Sequence, residues 1–80
     1  MMKYEVNMPR FGATMEDGEI VEWYVNVGDE VKKGDKLCSI MTEKLTNDLE
    51  AMHDGTLVEI LLEAGNKANC GDIIGYIEGK

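Results

Sequence analysis

The sequence predicts an all-β sandwich or flattened barrel assembled from two copies of one unit. Three observations carry this reading. Short segments rich in β-branched and aromatic residues recur with glycine-containing turns between them. The second half of the chain repeats the first at a shift of 37 residues. At 80 residues, the chain has enough surface to bury for one core and no more.

The elements follow in order. Lys3 to Met8 alternates polar and apolar side chains, the two-residue period of a half-buried strand. Pro9 ends it, because proline has no N–H to give to a ladder. Arg10 to Asp17 contains Gly12 and reads as a loop. Gly18 to Val25 is a strand of the β-favouring kind, Gly-Glu-Ile-Val-Glu-Trp-Tyr-Val. Val27-Gly28-Asp29 turns, Val31 reaches the core, and Gly34-Asp35 turns again. Lys36 to Thr42 and Thr46 to Ala51 are strands on either side of a tight turn. Asp54-Gly55 is a turn, Thr56 to Leu61 a strand, and Gly65-Asn66 and Gly71-Asp72 are further turns. Ile73 to Ile77 closes the domain.

One segment has a competing reading. Leu45, Leu49 and Met52 fall at i, i+4 and i+7, which would suit an amphipathic helix. The repeat decides against it. Shifting by 37 places Gly18 on Gly55, Val21 on Val58, Glu22 on Glu59, Gly28 on Gly65, Gly34 on Gly71, Asp35 on Asp72 and Ile40 on Ile77. Chance would give roughly one or two such identities at ordinary composition. Two repeats are too few for a solenoid, so they should pack about a pseudo-two-fold axis. Thr46 to Glu50 must then play the part of Tyr4 to Met8, which is a strand.

The same symmetry singles out Met41-Thr42-Glu43-Lys44-Leu45-Thr46. The counterparts of Lys44 fall at the start of the chain and just past Lys80, so the lysine turn should lie at the end of the domain opposite both termini. The halves differ at one place: Pro9 to Gly18 is nine steps and Ala51 to Gly55 is four. The first half is thus expected to carry five extra residues, within Arg10 to Asp17. Loops the fold does not require are where recognition tends to reside. Arg10, Phe11, Gly12, Ala13 and Thr14 are accordingly the candidate partner-recognition residues.

Composition narrows the class of function. Sixteen acids against eight bases give a net charge of −8. Nucleic-acid binding is excluded on that ground, since phosphates demand a basic face, and Lys32, Lys33 and Lys36 are interleaved with Glu30 and Asp35. The acidity suits either a partner with a basic docking face or plain solubility. No apolar run approaches a membrane span, and Met1-Met2-Lys3-Tyr4-Glu5 has no signal-peptide core. Cys38 and Cys70 form no metal motif and are expected to be reduced thiols in a cytoplasmic, monomeric domain. His53 has no neighbouring serine or cysteine to activate and reads as a turn residue. Adjacent Trp23 and Tyr24 face opposite sides, one to the core and one to the surface. Core filling is expected of the methionines, including Met41 and Met52 beside the hairpin.

A family resemblance rests on Gly-Asp-Glu-Val-Lys-Lys-Gly-Asp-Lys-Leu at 28–37 and Met-Thr-Glu-Lys-Leu at 41–45. It extends to Met8-Pro9, Gly12, Met15-Glu16-Asp17-Gly18, Glu50-Ala51 and Gly55-Thr56-Leu57. These stretches resemble the biotinyl/lipoyl carrier family and, more narrowly, the lipoyl domains of 2-oxo acid (pyruvate or acetoin) dehydrogenase complexes. The resemblance covers nearly the whole chain. It implies a flattened β-barrel of two four-stranded sheets, the barrel-sandwich hybrid fold, with lipoic acid in amide linkage to Lys44 and with Glu43 and Leu45 flanking it. It implies a carrier and not an enzyme: the dithiolane is reductively acylated by a thiamine-diphosphate-dependent decarboxylase, gives its acyl group to coenzyme A through an acyltransferase, and is reoxidised by dihydrolipoyl dehydrogenase. A lipoate ligase or lipoyl transferase would load it. The chain, without a trailing Ala/Pro-rich linker, is expected to be a fragment of a longer acyltransferase or dihydrolipoyl dehydrogenase.

The turn departs from the usual lipoyl Asp-Lys-Ala in carrying Glu43 and Leu45. Biotinyl domains place methionines on both sides of the lysine, which these residues do not match; biotin remains the alternative cofactor. The alternative outside the carrier class is a β-sandwich interaction module whose Lys44 is never modified.

Overall fold

A computed structural model of the chain describes all residues except Met1, Thr14, Glu43, Lys44 and Lys80. The described residues form eight strands: β1 (Lys3–Asn7), β2 (Asp17–Trp23), β3 (Glu30–Val31), β4 (Lys36–Met41), β5 (Thr46–Glu50), β6 (Gly55–Ile60), β7 (Lys67–Asn69) and β8 (Ile73–Glu78). They form two antiparallel four-stranded sheets, ordered β1-β8-β6-β3 and β5-β4-β2-β7. Thr46–Glu50 is a strand, as the repeat requires.

The pseudo-two-fold is written in the hydrogen bonds. Gly28 N–H donates to the Leu57 carbonyl, and Gly65 N–H donates to that of Ile20, each at 2.7 Å. Tyr24 N–H to the Leu37 carbonyl is matched by Leu61 N–H to Ile74, each at 2.8 Å. The β2–β4 ladder slips between Ile20 and Glu22, and the β6–β8 ladder slips between Leu57 and Glu59, the same place 37 residues on. Gly34 and Gly71 turn the chain at φ of 95° and 94°, a conformation that costs a residue with a Cβ. Even the side-chain clamps recur: the Lys32 amide donates to Asp35 Oδ2 at 2.9 Å and the Asn69 amide to Asp72 Oδ2 at 3.1 Å.

The structure corrects the count of extra loop residues. Met8 N–H donates to Asp72 O while Ala51 N–H donates to Asp35 O, and Gly71 and Gly34 return bonds to Met8 and Ala51. Met8, not Pro9, is therefore the counterpart of Ala51. Ten steps separate Met8 from Gly18 against four from Ala51 to Gly55, so the first half carries six extra residues and not five.

The core lies between the sheets. Met8, Ile20, Val31, Leu37, Cys38, Ile40, Leu57, Ile74 and Ile77 are at most 2% exposed. Each large aliphatic side chain so buried contributes about 1.5–3 kcal/mol. Trp23 packs against this core with its Nε1 donating to the Leu62 carbonyl at 2.8 Å, while Tyr24 lies out on the surface. Met8 and Met15 fill the core, but Met41 and Met52 do not: they are 43% and 70% exposed. Met41 ends β4 on the outer face of its sheet, next to the inward Ile40, and Met52 lies in the β5–β6 connection, so neither side chain has an interior to enter. Cys38 and Cys70 are free thiols. His53 stacks on Tyr4 with ring centroids 3.7 Å apart.

Candidate functional site

The β4–β5 hairpin is closed by Thr42 and Leu45. Thr42 N–H donates to the Leu45 carbonyl at 2.7 Å, its hydroxyl donates to the same oxygen at 3.0 Å, and Leu45 N–H returns to Thr42 Oγ1 at 3.3 Å. Outside this pair the ladder continues with Met41 opposite Thr46. Two residues of sequence, Glu43 and Lys44, join Thr42 to Leu45, and both lie outside the described residues. What the structure defines is the frame around them, and that frame is rigid: three hydrogen bonds on one residue pair, backed by two continuous strands.

The frame has a counterpart. Gly79 N–H donates to the Met2 carbonyl at 2.6 Å, the bond that symmetry relates to Thr42 with Leu45. The chain ends thus close one sheet as the hairpin closes the other. Met2 and Gly79 pair in one sheet where Thr42 and Leu45 pair in the other, with Glu43 and Lys44 between them in sequence.

Beside the hairpin lies an open cleft of about 300 Å³ lined by Asp17, Glu19, Met41, Thr42 and Lys67. Met41 at 43% exposure and Leu45 at 47% place apolar surface on either side of the turn. Sequence reasoning singled out Leu45 but not this cleft, because β7, which brings Lys67 alongside β2, is three residues long and has no strand signature of its own.

The loop 10–16 enters β2 at Asp17, one wall of the cleft. Arg10, Gly12 and Ala13 are exposed, and Arg10 Nη1 donates to the Ala13 carbonyl at 3.3 Å. Phe11 is partly buried against the core, and Thr14 lies outside the described residues. Met15 anchors the loop: it is 9% exposed, its sulfur accepts from Phe11 N–H at 3.2 Å, and its own N–H donates to Gly12 O at 3.1 Å. Cys70 holds the loop's base, its Sγ lying 3.6 Å from Pro9 O and 3.5 Å from Met15 O.

Among the described residues no three His, Cys, Asp or Glu side chains gather as a metal site. Burial, with help from the Asp48 carboxylate, pushes the Cys38 thiol from 9.0 up to about 12, so it is a packing group and not a nucleophile. What the described residues supply is a fixed frame, the hydrogen-bonded Thr42–Leu45 pair.

A family model described as "Biotin-requiring enzyme", the biotin/lipoyl family, matches residues 4–77. The dihydrolipoyllysine-residue acetyltransferase component of the acetoin cleaving system of Bacillus subtilis (strain 168) is 40% identical over 76 residues, covering 95% of this chain and 19% of that protein. The corresponding component of the pyruvate dehydrogenase complex of Rhizobium meliloti (strain 1021) is 39% identical over 66 residues, 82% of this chain and 15% of that one. The chain therefore spans less than a fifth of the length of these relatives. The solved lipoyl domain of the 2-oxoglutarate dehydrogenase complex from Azotobacter vinelandii superposes with a TM-score of 0.76 at 27% identity, covering 95% of this chain and 98% of that one.

Proposed function

Since the chain belongs to the biotin/lipoyl family, we propose that it is a lipoyl carrier domain whose Lys44 bears lipoic acid in amide linkage. The single observation that carries this is the Thr42–Leu45 frame: a rigid hairpin end, flanked by exposed apolar side chains, whose two connecting residues include one lysine. The fit to the cofactor is physical. A tethered acyl carrier needs an amine on a long flexible stem. It needs a backbone that stays fixed while the stem moves. It also gains from apolar neighbours, which Met41 and Leu45 supply.

When attached, lipoic acid would supply a disulfide that is reduced as it takes up an acyl group, hands that group to an acceptor thiol, and is reoxidised from the resulting dithiol. The chain's own residues do not perform that chemistry; they hold and present. Thr42 and Leu45 fix the foot of the arm, and Lys44 contributes the linking nitrogen. Tethering raises the local concentration of the carried group at each partner site, so successive transfers are effectively intramolecular. The partners on this reading are a loading ligase, a thiamine-diphosphate-dependent decarboxylase, an acyltransferase and a dihydrolipoyl dehydrogenase. The parent chain on this reading is an acyltransferase of a 2-oxo acid or acetoin dehydrogenase complex, the class to which the two acetyltransferase relatives belong.

The test is intact mass after co-expression with lipoate ligase and, separately, with biotin ligase, on the wild-type chain and on Lys44→Gln. One lipoyl increment, absent from Lys44→Gln, is expected. A biotin increment alone would move the domain to the carboxylases. No increment from folded protein would leave an interaction module.

A further inference from the structure

The pseudo-two-fold supplies an internal control for which surface residues the fold demands. Opposed residues in an antiparallel ladder share a face. The registers Thr46–Met41, Met41–Glu19 and Glu19–Lys67 therefore lay one row across all four strands of the hairpin's sheet, on its outer side. The row lies one residue from the Thr42–Leu45 pair. In the other sheet the equivalent row is Lys3–Glu78–Thr56–Glu30, in the same registers. The two backbones match, yet not one residue does. An exposed methionine stands where the other half has Glu78, and Glu19 stands in place of Thr56.

Asp17 shows the same divergence. Its counterpart Asp54 is engaged in structure, with Oδ1 accepting from Lys33 N–H at 2.7 Å. In the first half that task falls to backbone, Cys70 N–H donating to Glu16 O at 2.9 Å. The Asp17 carboxylate makes no hydrogen bond or ion pair with another described residue, and neither do the Glu19 and Lys67 side chains. Glu19 and Lys67 face each other across the β2–β7 ladder as an opposite-charge pair without a direct contact, and with Asp17, Met41 and Thr42 they line the cleft beside the turn.

We propose that this strip is the docking surface for the enzyme that acylates Lys44, and that it receives a basic side chain of that enzyme. The cation would lie on Asp17 and Glu19 with its aliphatic stem along Met41, a division of labour that suits lysine or arginine. The inference rests on the carrier reading. Position selects the loading enzyme over the later partners. An enzyme that forms a bond at the lysine amine must come within one lysine side chain of the hairpin's foot, and so must cover this row. An enzyme working at the far end of a loaded arm has no such need. The net charge of −8 favours encounter with a basic partner.

The test measures kcat/KM for attachment of lipoate by a lipoate ligase, with intact mass as the readout, on the 80-residue chain. Glu19→Thr installs what the other half already tolerates at the equivalent place, and Asp17→Asn with Glu19→Gln is the near-isosteric variant that removes the charge. Thr56→Glu, on the far row, is the control. Expected are at least a tenfold fall for Asp17→Asn combined with Glu19→Gln at unchanged Tm, a smaller fall for Glu19→Thr, no change for Thr56→Glu, and a weaker salt dependence in the double variant than in wild type. Rates within twofold of wild type for the strip variants would overturn the proposal while leaving the carrier reading intact. A wild-type chain that takes no lipoate would overturn the carrier reading, and the strip with it.

Discussion

Thr42 and Leu45 hold each other through three hydrogen bonds, two of them made by the Thr42 hydroxyl. The hydroxyl both gives and receives, so it doubles the backbone pair at the point where the hairpin opens. Thr42→Val keeps the β-branched shape and removes both side-chain bonds. At a partly exposed site each is worth about 0.5–1.5 kcal/mol at most. Thr42→Val should therefore lower Tm by at least about 4–8 °C, the shift that one kcal/mol produces in a domain of this size. Thermal denaturation by circular dichroism checks it, and attachment of lipoate should slow in step.

Gly18 and Gly55 are counterparts under the pseudo-two-fold but do not tolerate the same change. A Cβ on Gly18 would lie 2.9 Å from Ile40 Cγ2 and 3.1 Å from both Met15 Cε and Met8 Sδ. Those are side chains, two of them flexible methionines. A Cβ on Gly55 would run into the backbone carbonyl of Glu78. Gly18→Ala is expected to cost about 1–3 kcal/mol, as core overpacking does. Gly55→Ala should cost more than that, because β8 would have to move. Urea unfolding of the two variants under one condition decides the order, and equal costs would contradict it.

Cys38 should resist thiol reagents and make the domain alkali-sensitive. Burial first, then the Asp48 carboxylate, raises its pKa from 9.0 to about 12. The folded state thus holds the thiol proton more tightly than the unfolded chain. Its contribution to stability is intact below pH 9, declines as the unfolded thiol ionises, and has been lost by about pH 12. Denaturant unfolding between pH 8 and 11 should show a steeper fall for wild type than for Cys38→Ala. At pH 8 Cys70, which is half-buried, should be alkylated first.

Much of this was legible in the sequence because the repeat constrains two halves at once. The strand at Thr46–Glu50 could not be settled from Leu45, Leu49 and Met52 alone; its partner Lys3–Asn7, with a clean two-residue alternation, settled it. Glu30–Val31 and Lys67–Asn69 were not readable as strands, since two or three residues carry no period and are held by β6 and β2. The outward turn of Met41 was hidden by the ordinary expectation that methionine fills a core. The sixth extra loop residue was hidden because only backbone hydrogen bonds identify Met8 with Ala51. The hairpin end at Thr42 and Leu45 was legible from motif and symmetry together; the cleft beside it was not, because it takes residues from three strands distant in sequence.

The loop 10–16 should separate stability from recognition. Met15 is its anchor, 9% exposed and packed beside Met8 under Gly18, whereas Arg10, Gly12 and Ala13 are exposed. Met15→Ala removes a core side chain and should cost about 2–5 kcal/mol. Arg10→Ala breaks only an exposed 3.3 Å bond to Ala13 O and should leave Tm within a degree or two. If the exposed part of the loop is read by the thiamine-diphosphate partner, Arg10→Ala combined with Ala13→Glu will slow reductive acylation of the loaded domain several-fold. Its rate of lipoate attachment, governed at the hairpin, will stay unchanged. Stopped-flow acylation on equally loaded domains makes the comparison. Equal acylation rates would reduce the six extra residues to a surface insertion. A parallel loss of attachment would instead place the loop within the loading enzyme's footprint, continuous with Asp17 at its end.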